Sequence, residues 1–473
     1  MLIKKSRYKR FLKWLFAMPA RTIVLSFIFV DIIGTILLML PIASQDGRSL
    51  GLLGALFTTV SCTCVTGLVV VDTAVHFTTF GRTVIICLIQ IGGLGLVTIT
   101  TFFISLARRK VGLRAKVLAQ ESSGSFSFTE LPQLIKSIVL ITLAFETTGF
   151  LLLSTQYVPQ FGWAGGLSRA GFQAVSAFCN AGFDLMGDTA SGPYSSLTAY
   201  SGNAVVLLTT GFLIIFGGLG FIVWHDIISF RKTRKLRLMS VVAISMTVCL
   251  VLSGMVFFLA AEWTNTGIDS SGVGAIGSLP VWQRPLAAFF QSVTLRTAGF
   301  NSISQANLTH GSKFISVILM FIGAGSGSTG GGIKISTFSI LLFTLISDIR
   351  GRDAILIRKQ QVSHQLVQRA VTILFLGLLI MLGLSLILCF TEAGALHAGK
   401  FEYLDLLFES ASAFGTVGVT SAQTPTLTTL SQWFIIPAMF LGRVGPATFA
   451  ISLAMRQEKE QTNIYPEAKI QIG

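Results

Sequence analysis

The chain reads as an all-α membrane protein, with about eight transmembrane helices in four helix–re-entrant pore loop–helix repeats around a central pore. Three observations predict this. The first is composition: of 473 residues, 52% are hydrophobic and only 12% are charged, against about 25% charged in soluble domains. The second is a set of apolar runs, at 22–40 (interrupted by Asp31), 83–106, 135–153, 205–223, 241–261, 314–322 continued by 335–346, 370–389 and 433–453. About 20 apolar residues cross a bilayer, and no soluble core explains so many such runs. The third is an internal repeat. Gly67, Gly182, Gly299 and Gly418 follow one another at intervals of 115, 117 and 119 residues. Each closes a similar segment that opens ten positions earlier on a phenylalanine: Phe57, Phe172, Phe289 or Phe408. One element repeated four times in one chain predicts pseudo-fourfold symmetry about an axis, and a pore is what such an axis holds in a membrane.

The elements follow in order. Residues 1–20 form a basic N-terminus carrying Lys4, Lys5, Arg7, Lys9, Arg10 and Lys13. The apolar run behind it is too long for a signal peptide and no small-x-small cleavage site follows, so an uncleaved first helix is expected. Repeat 1 spans 21–110, repeat 2 spans 111–235, repeat 3 spans 236–350, repeat 4 spans 351–456, and 457–473 is a tail. The net charge of +15 is no nucleic-acid signal, because its residues cluster at 108–116, 231–237, 350–359, 456–459 and the N-terminus. These are the ends and the connections between repeats. The positive-inside rule places them in the cytoplasm, with both termini, as in a multi-pass protein of the cell membrane in contact with lipid. Asp72, Asp184, Asp188, Glu262, Asp269, Glu392, Glu402 and Asp405 gather around the four glycine segments, which are expected outside.

The middle of each repeat is too short and too polar to span. It must enter from outside and return there, and non-helical backbone survives at that depth only against protein or water. The strands are Val65-Thr66-Gly67, Asn180-Ala181-Gly182, Thr297-Ala298-Gly299 and Thr416-Val417-Gly418. A dehydrated cation needs fixed oxygen ligands, and backbone carbonyls supply them in potassium filters. A strand that turns its carbonyls this way needs alternating conformation, and glycine reaches positive φ without steric cost. The short helices leading into the strands would aim their negative ends inward, which favours a cation. The flanking residues differ among the four loops, so strict fourfold chemistry is not expected.

The second apolar helices also repeat. Gly92-Gly-Leu-Gly95 matches Gly217-Gly-Leu-Gly220, with Gly442-Arg-Val-Gly445 in the fourth repeat. Two readings stand equal: small residues for close helix packing, or a softened inner helix. The third inner helix is interrupted outright by Gly323, Ala324, Gly325, Ser326, Gly327, Ser328, Thr329, Gly330, Gly331 and Gly332. Each glycine costs a helix about 1 kcal/mol relative to alanine, so the segment is expected to unwind into a loop across the pore. It is no phosphate loop: Ile333 stands where lysine is required and no strand precedes it. Lys334 is expected at the cytoplasmic mouth. Arg443 lies within the fourth inner helix, where an arginine is costly and functional. It is expected to contact carbonyls of the glycine loop, against the alternative of a buried pair with Glu146. Arg296, just before the third strand, is expected behind the loop, paired with Glu409.

These loops resemble those of the Trk/Ktr/HKT superfamily of potassium transporters, over about residues 21–453. The short N-terminus makes the chain most similar to the bacterial Ktr type of membrane subunit. The resemblance implies K+ held at the strand carbonyls as the transported ion and leaves room for Na+ as an activating or coupled ion. It implies a gating role for the loop of 323–332, a homodimer, and a separate cytoplasmic ring of nucleotide-binding (RCK-type) subunits. Family members with serine at the first strand position tend toward sodium, and Gly67 follows the potassium pattern. No cofactor is expected in this chain. A symporter for another cation or a small solute is the alternative; it predicts inverted twofold repeats. An enzyme finds no support, since the five histidines are scattered. The six cysteines lie in or beside apolar runs without metal spacing.

Overall fold

The computed structural model describes residues 19–95, 131–189, 191–269, 272–352, 355–358, 360–446 and 448–449. The basic N-terminus, the 108–116 cluster and the C-terminal tail lie outside the described residues. The first repeat contributes α1 (Pro19–Leu38), α2 (Gly51–Thr63) and α3 (Thr79–Leu94). The second gives α4 (Leu131–Phe178), α5 (Ala204–Leu219) and α6 (Phe221–Thr233). The third gives α7 (Leu238–Ala261), α8 (Arg284–Thr294), α9 (His310–Phe321) and α10 (Ile335–Ile349). The fourth gives α11 (His364–Thr391), α12 (Tyr403–Gly415) and α13 (Thr429–Val444).

Each repeat has the same plan. An outer helix (α1, the first part of α4, α7, α11) is long and apolar enough to cross a membrane. A re-entrant helix (α2, the last part of α4, α8, α12) follows. In the second repeat the two run on as one element, and the chain reverses at Gly162 (φ 71°, ψ 174°), a conformation closed to residues with a Cβ. An inner helix (α3, α5, α9, α13) then begins on a side-chain cap: Thr78, Asn203, Thr309 and Thr428 each accept a backbone N–H of the first turn. Glu262 and Glu392 bind the backbone N–H of Thr309 (2.9 Å) and Thr428 (2.7 Å). These two acids lock outer helices to inner ones.

The inner helices are short. Three of them have 16 residues, about 24 Å at 1.5 Å per residue, less than the roughly 30 Å of hydrocarbon. They stop where sequence marked small residues: Gly95 (φ 80°), Gly220 (φ 99°) and Gly445 (φ 91°) share one left-handed conformation. Both readings of the repeated glycines therefore hold. The last glycine breaks the helix, and the first packs on backbone: a Cβ on Gly92, Gly217 or Gly442 would collide with the carbonyl of Thr63, Phe178 or Phe414 at the end of a re-entrant helix.

The re-entrant helices form the core. Phe57, Phe178, Phe290, Phe408 and Phe414 are fully buried there. The outside is apolar: Phe375, Leu379, Leu382, Leu386 and Phe390 make an exposed stripe along α11, at helical spacing, fit for lipid. One buried ion pair joins repeats 3 and 4: Lys313 Nζ lies 2.7 Å from Asp405 Oδ1, which also accepts the Ser421 hydroxyl (2.5 Å). Removing one partner of a buried pair strands the other charge, at about 3–5 kcal/mol. Lys313→Met is expected to lower the unfolding temperature of the purified protein markedly, and Lys313→Met with Asp405→Leu to recover most of the loss; thermal unfolding in detergent checks this.

Candidate ion pathway

The four strands share one backbone pattern. Val65 (φ 56°), Asn180 (φ 61°), Thr297 (φ 66°) and Thr416 (φ 51°) are left-handed, and two residues on so are Gly67 (φ 91°), Gly182 (φ 72°), Gly299 (φ 86°) and Gly418 (φ 97°). The alternation expected of a carbonyl-lined strand is present in all four. The glycines close a ring in chain order. A Cβ on Gly67 would lie 2.7 Å from the Ala181 carbonyl oxygen, one on Gly182 2.8 Å from that of Ala298, and one on Gly299 2.7 Å from that of Val417. Gly418 returns to the first strand, closest of all, against the Thr66 carbonyl. These four carbonyl contacts run the same way round, as rotation about one axis requires and an inverted twofold repeat does not.

The strands hang on their re-entrant helices. The N–H groups of Thr66, Ala181 and Val417 donate to Ser61, Ser176 and Ser412 carbonyls at 2.8, 2.7 and 2.9 Å. Ser61 Oγ accepts the Gly67 N–H (3.1 Å) and donates to the Leu68 carbonyl (2.7 Å). Ser412 Oγ accepts the Gly418 N–H (3.0 Å). These serines were not foreseen, although each stands six positions before its glycine and aligning the repeats with one another exposes them. The third loop differs: Val293 occupies that place, and Thr294 Oγ1 donates to the Phe300 carbonyl instead (2.7 Å). The hydroxyls of Thr66 and Thr416 are buried without a protein partner.

Above the ring lies a cavity of about 230 Å³ that reaches all four glycines. Asp72, Asp184 and Asp269 line it, and none of its lining residues is basic. Asp72 caps a short turn at Thr73–His76 and also accepts the Tyr194 N–H (2.7 Å), tying repeat 1 to repeat 2. Burial, with the Asp72 carboxylate adding to it, pushes the Asp184 carboxyl up to about 6.

Below the ring lies the glycine-rich segment, unwound as expected between α9 and α10. A Cβ on Gly330 would strike the Thr297 hydroxyl, and one on Gly331 the Thr416 hydroxyl. The segment is held by backbone bonds from Gly323 N–H to the Ile333 carbonyl (2.9 Å), Gly325 N–H to Gly218 (2.8 Å) and Phe221 N–H to Gly327 (3.0 Å). The Asn180 side chain bridges Thr297 Oγ1 (3.2 Å) and Thr329 Oγ1 (3.3 Å). Ser326 pairs with Ser336 (2.6 Å), whereas the buried Ser328 hydroxyl has no partner. Gly332 (φ 64°) turns the chain back toward α10.

Arg443 meets the sequence expectation. Its guanidinium donates to the Thr329 carbonyl and, from the other side, to the Gly92 and Gly93 carbonyls. Glu146 instead accepts from Gln90 (3.0 Å). Two expectations fail. Lys334 does not stand free at the cytoplasmic mouth: it turns back and donates to the Gly330 and Gly331 carbonyls. Desolvated carbonyls with no other donor attract the ammonium more than the mouth does. Arg296 does not pair with Glu409. It is buried behind the third strand and donates to Thr247 Oγ1 (3.3 Å) and the Thr247 carbonyl (3.4 Å) on α7. Glu409 is itself fully buried and accepts the hydroxyls of Thr420 (2.7 Å) and Thr424.

A multi-pass helical membrane protein with a fourfold ring of re-entrant strands on its axis belongs among the transporters of small ions. The particular group follows from the sequence: the TrkH family model, described as cation transport protein, matches residues 5–464, and the chain belongs to that family. The family transports cations and performs no enzymatic reaction. The chain is 37% identical over 463 residues to Ktr system potassium uptake protein B of Bacillus subtilis, covering 98% of each. It is 36% identical over 474 residues to potassium/sodium uptake protein NtpJ of Enterococcus hirae, covering 100% of each. Its fold is similar to that of the potassium transporter TrkH from Vibrio parahaemolyticus, with a TM-score of 0.68 at 16% identity, over 92% of this chain and 84% of that one.

Proposed function

We propose that the chain takes up potassium across the cell membrane through the ring at Gly67, Gly182, Gly299 and Gly418, with the loop of 323–332 and Arg443 as its gate. The observation that carries this reading is the closed ring of glycines, each against the next repeat's carbonyl. Carbonyls held in that register replace the water of a dehydrated cation. The unpartnered Thr416 hydroxyl, which a Cβ on Gly331 would meet, is a further oxygen ligand at its lower end. One relative named for potassium uptake and one named for potassium/sodium uptake support K+ as the cargo, and the second name leaves room for Na+ beside it. The ring of 1–4 repeats is taken to divide at 110/111, 235/236 and 350/351, with both termini cytoplasmic. By resemblance, the working unit is a homodimer seated on a separate nucleotide-binding ring. Rubidium uptake into vesicles holding the purified chain, competed by K+ and by Na+, is the test. Uptake that potassium does not compete, or that an organic solute drives, overturns the reading.

The outer cavity carries its own expectation. A carboxyl that titrates near 6 is anionic at neutral pH and loses its charge as external pH falls through about 6. Cation capture then weakens. The apparent KM for rubidium is expected to rise severalfold between external pH 7.5 and 5.5 (roughly one and a half units above and half a unit below that midpoint), with the maximal rate little changed. Asp184→Asn is expected to show the raised KM at both values; a parallel pH dependence in the variant would exclude Asp184 as the titrating group.

A further inference from the structure

The helix α6 has no place in the pathway, yet it begins on it. The chain bends by 90° between Ala204–Leu219 and Phe221–Arg231, at Gly220. The next helix, α7, is itself long enough to cross the membrane, and four residues separate it from α6. An element caught between an inner helix and an outer helix, turned at right angles to the first, runs along the membrane boundary. Its basic connection, 231–237, puts that boundary on the cytoplasmic side.

The faces of α6 differ. Phe221, Ile222, Val223 and Asp226 are buried. Asp226 is fixed by the Ser240 hydroxyl and by Arg237 Nε at 3.4 Å, and Phe221 packs on Phe178, so this face is committed to the protein. The other face exposes Ile227, Ile228 and Phe230, with Arg231 and Arg234 exposed at its end. Apolar side chains beside arginines at the bilayer boundary suit the acyl–headgroup layer of an anionic leaflet. The first turn of α6 meets the glycine-rich loop: the Phe221 N–H donates to the Gly327 carbonyl (3.0 Å), and a Cβ on Gly220 would lie 2.6 Å from the Ser326 carbonyl oxygen. Trp224 Nε1 donates to the Phe216 carbonyl (2.8 Å), one of those freed by the bend, and its ring packs on Phe145 and Phe216. The corner is a braced elbow, so a pull on the far end of α6 is transmitted to the loop.

We propose that Phe221–Thr233 is an interfacial helix that binds anionic phospholipid headgroups through Arg231 and Arg234 and, by pivoting at Gly220, loosens the glycine-rich loop. The second half rests on the gate reading of that loop; the lipid site does not.

The experiment separates the two. The full chain is purified in detergent and its unfolding temperature followed on addition of phosphatidylglycerol or phosphatidylcholine. Phosphatidylglycerol alone is expected to raise it. Arg231→Gln with Arg234→Gln is expected to weaken that response, by roughly fivefold in half-saturating lipid for each charge removed, and the lysine pair at the same positions to restore most of it. In vesicles, phosphatidylglycerol is expected to raise rubidium flux severalfold for the parent and not for the glutamine pair. A chain lacking 326–331 is expected to keep the lipid-induced stabilisation and lose the flux response. Stabilisation equal for both lipids, or unchanged in the glutamine pair, overturns the lipid site, as does loss of dimer rather than of lipid response in that pair. A flux response that survives the loop deletion overturns the coupling while leaving the site.

Discussion

Gly418→Ala is expected to abolish rubidium uptake, and Gly67→Ala, Gly299→Ala and Gly182→Ala to reduce it in that descending order of severity. Two costs add at each position. The backbone is left-handed, most so at Gly418 (φ 97°) and Gly67 (φ 91°), less at Gly299 (φ 86°) and least at Gly182 (φ 72°), and a residue with a Cβ resists such angles. The new Cβ also meets the next repeat's carbonyl, under 3.0 Å in every case and closest at Gly418. Strain of this kind costs about 1–3 kcal/mol per residue, and a carbonyl displaced by a few tenths of an ångström no longer fits the ion. The damage should fall on selectivity before folding: ratios of rubidium to sodium uptake are the measurement, with thermal unfolding as the control. Gly67→Ser is the sharper variant. The resemblance predicts a shift toward sodium, whereas equal loss of both ions would mean that the ring is scaffold only.

Much of this site was legible because its requirements are local. A backbone with positive φ pressed on a neighbouring carbonyl admits only glycine, so four repeats left four glycines at even spacing. A run of ten small residues cannot stay helical, and the break between Phe321 and Ile335 followed. An arginine between two glycines in an apolar run needs acceptors, and the exposed carbonyls of an unwound loop are the obvious ones. What was not legible depends on which side chains meet across repeats. A cation on the axis would repel potassium, which puts Arg296 behind the loop, but that argument does not choose its partner: Thr247 on α7 faces it, not Glu409. Lys334 follows the glycine-rich loop, and its position in the sequence does not reveal that its side chain folds back on that loop. Ser61 and Ser412 were overlooked because a serine in a short helix carries no signal until the strand it supports is seen. The second contact of Arg443, with Gly92 and Gly93 in the first repeat, joins the two ends of the chain and no spacing argument reaches that far.

That second contact gives the gate its largest expected effect. Arg443 is the only side chain among the described residues that clamps the glycine-rich loop to the first repeat, through carbonyls of Thr329 and of Gly92 and Gly93. Lys334 clamps the same loop from within, on Gly330 and Gly331. Both side chains occupy carbonyls of the loop whose Gly330 and Gly331 lie against Thr297 and Thr416, so in the proposed gate each holds the loop closed. A charge-assisted hydrogen bond contributes about 1.5–3 kcal/mol. Losing one set shifts a closed loop toward open by roughly 10- to 100-fold in equilibrium, since 1.4 kcal/mol is a factor of 10. Arg443→Ala is therefore expected to raise rubidium flux by about tenfold or more, and Lys334→Ala to raise it less, because its carbonyls keep the Arg443 clamp beside them. The two effects should be less than additive in free energy, as they act on one loop. Deletion of 326–331 should give the full open flux, and Arg443→Ala on that background should add nothing. Flux unchanged by the arginine substitution in the intact chain would remove the clamp from the mechanism, and an added effect on the deletion background would place Arg443 in conduction instead.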